Sequence, residues 1–140
     1  MRIILSILSI IILSLFACNE GTIEPATKEF MNTIWKLESM RIDNETTTPQ
    51  TDQTYIARFE EDSTLSGTSD CNDFSANFLL LSEDSLIIEQ FFITKKGCGG
   101  DQSFSDRYVQ VLRDARTYKI DMNKLTVFDI NNSQLMFIGE

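Results

Sequence analysis

Apolar side chains recur at every second position in short runs divided by polar turns. That period restricts the chain to antiparallel β-structure more tightly than any other feature. In Ile34-Trp35-Lys36-Leu37-Glu38, Trp35 and Leu37 fall on one face and Lys36 and Glu38 on the other, as in a strand half buried on a sheet. The same alternation sets Tyr55, Ala57 and Phe59 inward in a strand from Thr54 to Phe59, and repeats in Phe74, Ala76, Phe78 and Leu80. Glu60-Glu61-Asp62 turns the chain into Thr64-Leu65-Ser66, and Ser82 to Ser85 turns it again. The polar stretch from Asp43 to Gln53, with three consecutive threonines and Pro49, predicts an exposed loop. Leu86 to Ile93 is apolar enough to predict a strand buried on both faces.

One segment keeps a different period. Phe104, Tyr108, Val111, Leu112 and Ala115 recur at helical spacing and form a stripe that must dock on the sheet. Ser103 and Asp106 have the spacing of a capping box, and Arg113 and Arg116 lie where cations oppose the helix dipole. Three short strands follow, Thr117 to Met122, Leu125 to Ile130 and Gln134 to Ile138, with turns at Asn123-Lys124 and Asn131-Asn132-Ser133. Strands dominate and the βαβ spacing of a parallel sheet is missing. The expected class is therefore α+β: mostly antiparallel, a curled sheet or cracked barrel with one helix packed against it.

The N-terminus carries a different message. Arg2 precedes an apolar run from Ile3 to Phe16 broken only by serines, the shape of a secretory signal and too short to span a bilayer as a helix. Leu15-Phe16-Ala17-Cys18 resembles the lipobox of bacterial lipoproteins. The resemblance implies cleavage before Cys18, lipid on its sulfur, and anchoring to the membrane through more than one acyl chain. The expected organisation is a signal peptide over 1–17, a lipidated tether over 18–32 and one domain over 33–140. Asn19, which is not aspartate, favours the outer membrane, facing the periplasm.

Arg2 is the only charge before Cys18, so removing it from 12 basic residues leaves 11 against 21 acidic ones, a balance of −10. No basic stripe is present to neutralise phosphates, which excludes nucleic acid as a partner. With Cys18 lipidated, Cys71 and Cys98 remain as an even pair in an oxidising compartment. A disulfide between them closes a loop of about 28 residues, worth roughly 3–4 kcal/mol. A zinc site lacks ligands, because the chain contains no histidine.

Three clusters carry possible chemistry. Asp70, Asn72 and Asp73 could hold a cation, but they lack the glycine and spacing of a calcium loop and read first as a turn. Gly97-Cys98-Gly99-Gly100 could cradle an anion on its amides, or simply let the chain reverse around a disulfide; Lys95-Lys96 beside it reads as a solvated loop. A serine nucleophile lacks its histidine base. Among 21 acids a glycosidase-like carboxylate pair stays open, although no pair stands out. Trp35, Phe74, Phe78, Phe91 and Phe92 read mainly as core, with the alternative that some line an open barrel end and bind an acyl chain or apolar peptide.

Trp35-Lys36-Leu37, Phe59, Leu65-Ser66-Gly67, Cys71-Asn72, Thr94 and Cys98, then the helix and final meander, resemble the META domain of HslJ-type bacterial lipoproteins. The likeness covers roughly Asn32 to Gly139, and its most specific part is Gly67-x-x-x-Cys71-Asn72 with Thr94-x-x-x-Cys98 downstream. The chain departs from the pattern at Asp70, where a glycine usually precedes the Cys-Asn pair. The resemblance implies a small β-rich envelope fold associated with stress and drug-resistance responses, similar to a barrel used by a secretion pilot lipoprotein. It brings no catalytic residue: Trp35, Leu37, Phe59, Gly67, Asn72 and Thr94 come with it as structural positions. The expectation is a monomeric, non-catalytic envelope lipoprotein without metal or cofactor that binds or steadies an unidentified envelope protein or lipid. A small glycan hydrolase and a lipid carrier are the alternatives.

Overall fold

The computed structural model describes residues 30–140; the expected signal peptide, Cys18 and the tether as far as residue 29 lie outside the described residues. Nine strands and the helix α1 (Ser103–Arg113) follow the chain order β1 (Ile34–Ile42), β2 (Glu45–Thr47), β3 (Tyr55–Phe59), β4 (Thr64–Ser69), β5 (Asn72–Leu79), β6 (Ile87–Ile93), α1, β7 (Ala115–Asp121), β8 (Lys124–Asp129) and β9 (Gln134–Gly139). All strand pairs of the sheet are antiparallel, in the order β6-β5-β4-β3-β1-β9-β8-β7, with β2 beside β1. Short links set the runs β3 to β6 and β7 to β9, β1 joins the two by pairing with both β3 and β9, and the right-handed twist of each strand curls the sheet into a half-barrel.

The curl nearly closes. Leu86 N–H donates to Arg116 O at 2.9 Å, and Tyr118 N–H to Asp84 O at 2.8 Å, so the approach to β6 meets β7. Beyond Leu86 the two edges part, because β7 begins only at Ala115, and α1 lies between them instead.

The inward faces are those the alternation predicts: Trp35 and Leu37, then Tyr55, Ala57 and Phe59, then Phe74, Ala76 and Phe78 are all buried. Phe30 joins them at 0% exposure and stacks on Phe59 at 4.2 Å, while its carbonyl accepts from Trp35 Nε1 at 2.9 Å. Asn32 N–H also bonds Phe59 O at 2.8 Å, so the fold takes in residues ahead of the expected start at Thr33. Burial pushes the Tyr108 phenol far up from its ordinary value, with Tyr55 a smaller contributor. Its hydroxyl donates to the Ile56 carbonyl at 3.2 Å, which fixes α1 across the barrel mouth.

Five local expectations change. The helix ends at Arg113, so Ala115 and Arg116, read as its last stripe residue and a cation opposing its dipole, instead open β7. Within the polar loop, Glu45–Thr47 pairs with β1 across a two-residue turn, Asp43-Asn44, whose residues have φ of +50° and +66°. Asp and Asn tolerate that left-handed backbone, which matches the twist of a tight hairpin. The β7–β8 turn is Met122-Asn123, one residue earlier than expected, since Asp121 pairs with Lys124.

The capping box does not form. Instead Asp101 Oδ1 accepts from Ser103 N–H at 2.8 Å and Oδ2 from Ser103 Oγ at 2.9 Å. Those bonds, the backbone one first, hold the Asp101 carboxyl below its ordinary value.

Finally, β6 is an edge strand and not buried on both faces. Ser75 pairs with Phe92 and Asn77 with Glu89, so Gln90 and Phe91 together oppose Ala76 in a bulge with Gln90 at φ +49°. The extra residue shifts the phase. Phe91 stacks inward on Phe74 at 5.1 Å, while Phe92 turns outward and stays 71% exposed.

Candidate functional site

Two places on the molecule concentrate side chains with something to do: the turn between β4 and β5, and the side where β6 faces α1. At the first, Cys71 and Cys98 are joined in a disulfide with Cα atoms 5.7 Å apart. Asn72 opens β5 beside it. Its Oδ1 accepts from Lys96 N–H at 2.7 Å and Thr94 Oγ1 at 3.1 Å, and its Nδ2 reaches Cys98 Sγ at 3.2 Å. Thr94 Oγ1 in turn accepts from Asp73 N–H at 3.0 Å, and Lys96 pairs with Asp73 Oδ2 at 2.7 Å. The motif residues therefore form a clasp that fastens the chain after β6 to the start of β5.

The geometry supports the turn reading at Asn72 and Asp73, because Asn72 Oδ1 is taken by Lys96 N–H and Thr94 Oγ1 and Asp73 Oδ2 by Lys96 Nζ. Asp70 stands at φ +57° in the two-residue turn from Ser69 to Asn72. That is the left-handed region where glycine is at ease and Asp is tolerated, so the replaced glycine leaves the turn intact. Among the described residues no group of three or more Asp, Glu or Cys side chains is placed to hold a metal ion.

Gly67 contributes by what it lacks. A Cβ there would fall onto the Ile56 carbonyl oxygen and the Phe74 ring. This is the oxygen that the Tyr108 hydroxyl reaches, so the glycine opens the path between them. Nearby, the Tyr55 hydroxyl and Ser105 Oγ lie 2.9 Å apart, and Ser69 Oγ donates to Ser105 O at 3.4 Å. Burial raises the Tyr55 phenol, with the Ser105 hydroxyl opposing the shift. Trp35, Leu37 and Phe59 lie apart from the clasp, in the core. The structural positions thus divide between clasp and core.

The second place was not foreseen from the sequence. Ile93, Asp106, Val109, Gln110, Arg113 and Asp114 line an open groove between β6 and α1. The Arg113 guanidinium rests over the Phe91 ring at 5.6 Å, a cation–π contact on the groove's inner side. The helical stripe marks the face of α1 that docks, but only the bulge explains why Phe91 and Ile93 turn toward the helix. Gln90 gives no sequence signal of a left-handed residue, since it is neither Gly nor Asn.

Comparison with known proteins agrees with this architecture. The family model of the META domain matches residues 28–140. An NMR structure of a protein from Burkholderia xenovorans superposes with a TM-score of 0.69 at 18% identity, covering 82% of this chain and 86% of that one. A crystal structure of a duf4847 family protein from Bacteroides vulgatus gives 0.58 at 13% identity, covering 81% and 96%. These likenesses concern the fold alone. Among curated proteins none matches the chain. With the family model spanning nearly the whole described domain, the chain belongs to the META domain family.

Proposed function

We propose that the protein is a non-catalytic envelope lipoprotein, anchored by lipid at Cys18 in the outer membrane, whose META domain binds or steadies another envelope component. By family resemblance that role relates to stress or resistance. The observation that carries the reading is the open side of the barrel, where β6 ends the sheet beside the α1 groove. The interior offers a ligand little: Trp35, Tyr55, Tyr108, Phe30, Phe59, Phe78 and Phe137 fill it at under 2% exposure each or close to it. Packing of that kind favours a surface binder over a carrier that encloses an acyl chain. The motif residues also favour binding over hydrolysis, since the clasp aims its polar atoms at one another.

The test is a photo-crosslinking residue at position 109 in the full-length protein, expressed in cells and compared with the same probe at Met122. A discrete protein adduct from position 109 alone is the expected result. Adducts at neither position, or equal adducts at both, would remove the binding-module reading. Fractionation of a Cys18→Ser variant tests the anchor separately: release from membranes is expected, and retention would defeat it.

A further inference from the structure

Among the described residues one buried side-chain polar atom lacks a hydrogen-bond partner, the hydroxyl of Tyr118, a residue only 4% exposed. A buried donor left unanswered is costly, and it points to a partner that the chain itself does not supply. Tyr118 walls an open hollow of about 540 Å³ at the seam where β7 meets the approach to β6. Ser82, Glu83 and Asp84 line one side of it, and Lys119 and Ile120 continue the other. Tyr118 N–H donates to Asp84 O at 2.8 Å, which fixes the two sides against each other. Burial, then Asp84 and then Glu83, push the phenol up from its ordinary value, so it stays protonated in the field of both carboxylates. Ser82 Oγ donates to Asp84 Oδ1 at 3.1 Å, while Glu83 and Lys119 form no ion pair among the described residues.

The chain enters the fold beside this hollow, because the Phe30 ring lies 4.5 Å from the Tyr118 ring. From Cys18 to Phe30 the chain takes twelve steps, at most about 40 Å when fully extended. Leu81, next to Ser82, stands 71% exposed. Resting on the lipid anchor proposed above, we propose that the hollow takes the headgroup of a zwitterionic phospholipid of the anchoring membrane, with its primary ammonium against Glu83 and Asp84 and its phosphate against Lys119 and the Tyr118 hydroxyl. Charge complementarity selects this occupant. Two carboxylates beside one ammonium repel a purely anionic headgroup, and the mature chain's balance of −10 adds to the repulsion. A simple cation would leave Lys119 without a counter-charge. A primary ammonium suits the carboxylates better than a quaternary one, which has no N–H to donate. Leu81 then meets the apolar layer beneath the headgroups. The barrel core is filled, so the acyl chains stay in the bilayer.

The probe is glycerophosphoethanolamine, titrated into the purified full chain in detergent while nuclear magnetic resonance follows the backbone amides. Saturable shifts confined to Ser82, Glu83, Asp84 and the stretch from Tyr118 to Ile120 are expected. Glycerophosphocholine lacks the N–H donors and glycerophosphoglycerol lacks the ammonium, so each binds about tenfold more weakly. Glu83→Gln combined with Asp84→Asn weakens glycerophosphoethanolamine about tenfold, whereas Asp52→Asn, beside the disulfide, leaves it unchanged. Tyr118→Phe lowers the affinity without lowering the thermal midpoint, which separates a ligand contact from a structural role. Equal binding of the three headgroups, no saturable shift, or full affinity in Tyr118→Phe would overturn the proposal. A second arm places the lipidated chain in bilayers. Amide exchange at the same residues should be slower in phosphatidylethanolamine than in phosphatidylglycerol, and equal exchange would overturn the membrane source. The titration in detergent does not depend on the anchor, so failure of this site and failure of the Cys18→Ser fractionation are read separately.

Discussion

The Cys71–Cys98 clasp and the β6 edge meet at Thr94, yet they are built on opposite terms. At the clasp nearly every polar atom is answered: Asn72 engages Thr94, Lys96 and Cys98, Thr94 engages Asp73, and a covalent bond ties the two segments. Along β6 one ladder is made and the other side is left to a groove, with a bulge held by a non-glycine residue at positive φ. The single positions named with the family resemblance, Trp35, Leu37, Phe59, Gly67, Asn72 and Thr94, lie at the clasp and in the core, and none of them lines the groove. A motif in this fold therefore marks where the chain is fastened. The groove proposed for binding lies elsewhere.

The comparison breaks first if Gly67 tolerates a side chain. Gly67→Val would drive carbon onto the Ile56 carbonyl and the Phe74 ring, and the backbone oxygen cannot step aside. It would also block the Tyr108 hydroxyl from that oxygen. The expected loss is about 4 kcal/mol or failure to fold, larger than ordinary overpacking because the clash is with main chain. Urea denaturation measures it, and a loss below about 1 kcal/mol would mean that β4 can shift and the clasp is looser than described.

The next effect belongs to the disulfide. The Cys71→Ser, Cys98→Ser double variant should lose roughly 3–4 kcal/mol, chiefly through a freer unfolded chain. If the clasp is the separate fastening described here, hydrogen exchange should show the loosening around Thr94 to Cys98 and the start of α1, where Gln102 Nε2 donates to Cys98 O at 3.4 Å. Uniform loosening across β8 and β9 would contradict that localisation.

Asn72→Ala should follow at about 2 kcal/mol, because three neighbours lose one partner while the Lys96 amide is left to find water. The same measurement on Val109→Ala, on the groove wall, should move stability by about 0.5 kcal/mol or less. Similar losses at the two sites would erase the distinction between fastening and surface.

How much of this was legible depended on whether the signal was local. The inward faces of β1, β3 and β5 follow from period two alone, as does the docking of Tyr108, Val111 and Leu112 from helical spacing, although Ala115 of that stripe belongs to β7. The strand Glu45–Thr47 was hidden because its residues are polar, and a hairpin arm that hangs over the sheet's edge needs no apolar face. Phe30 was assigned to the tether since it stands apart from any alternation; only the packing of Phe59 and Trp35 around it shows why an aromatic is there. Asp101 displaced the expected capping box because side-chain capping depends on the path of the preceding glycines, which spacing does not encode. The Cys71–Cys98 disulfide is present, as expected from an even pair in an expected oxidising compartment. The clasp around it could not be read from the sequence, since Asn72 and Thr94 lie 22 residues apart and meet only through the β5–β6 ladder.

The smallest effect tests the feature that most misled the reading of β6. A run of Ile, Phe and Ile predicts a strand in a single phase, and a single phase would put Phe92 on the same face as Ile88. The bulge breaks that phase by holding Gln90 at φ +49°. If so, Gln90→Gly should be more stable than Gln90→Ala by about 1 kcal/mol, because alanine suffers the left-handed conformation and glycine does not. Comparing two variants that both lack the amide cancels the loss of the bond from Asn77 Nδ2 to Gln90 Oε1. At Glu89, one residue earlier with ordinary strand backbone, the order should reverse and alanine should be better by about 0.5 kcal/mol. Finding alanine ahead at both positions would mean that β6 runs without the bulge. Phe91 would then face outward, and the groove with its Phe91–Arg113 wall would not form as described.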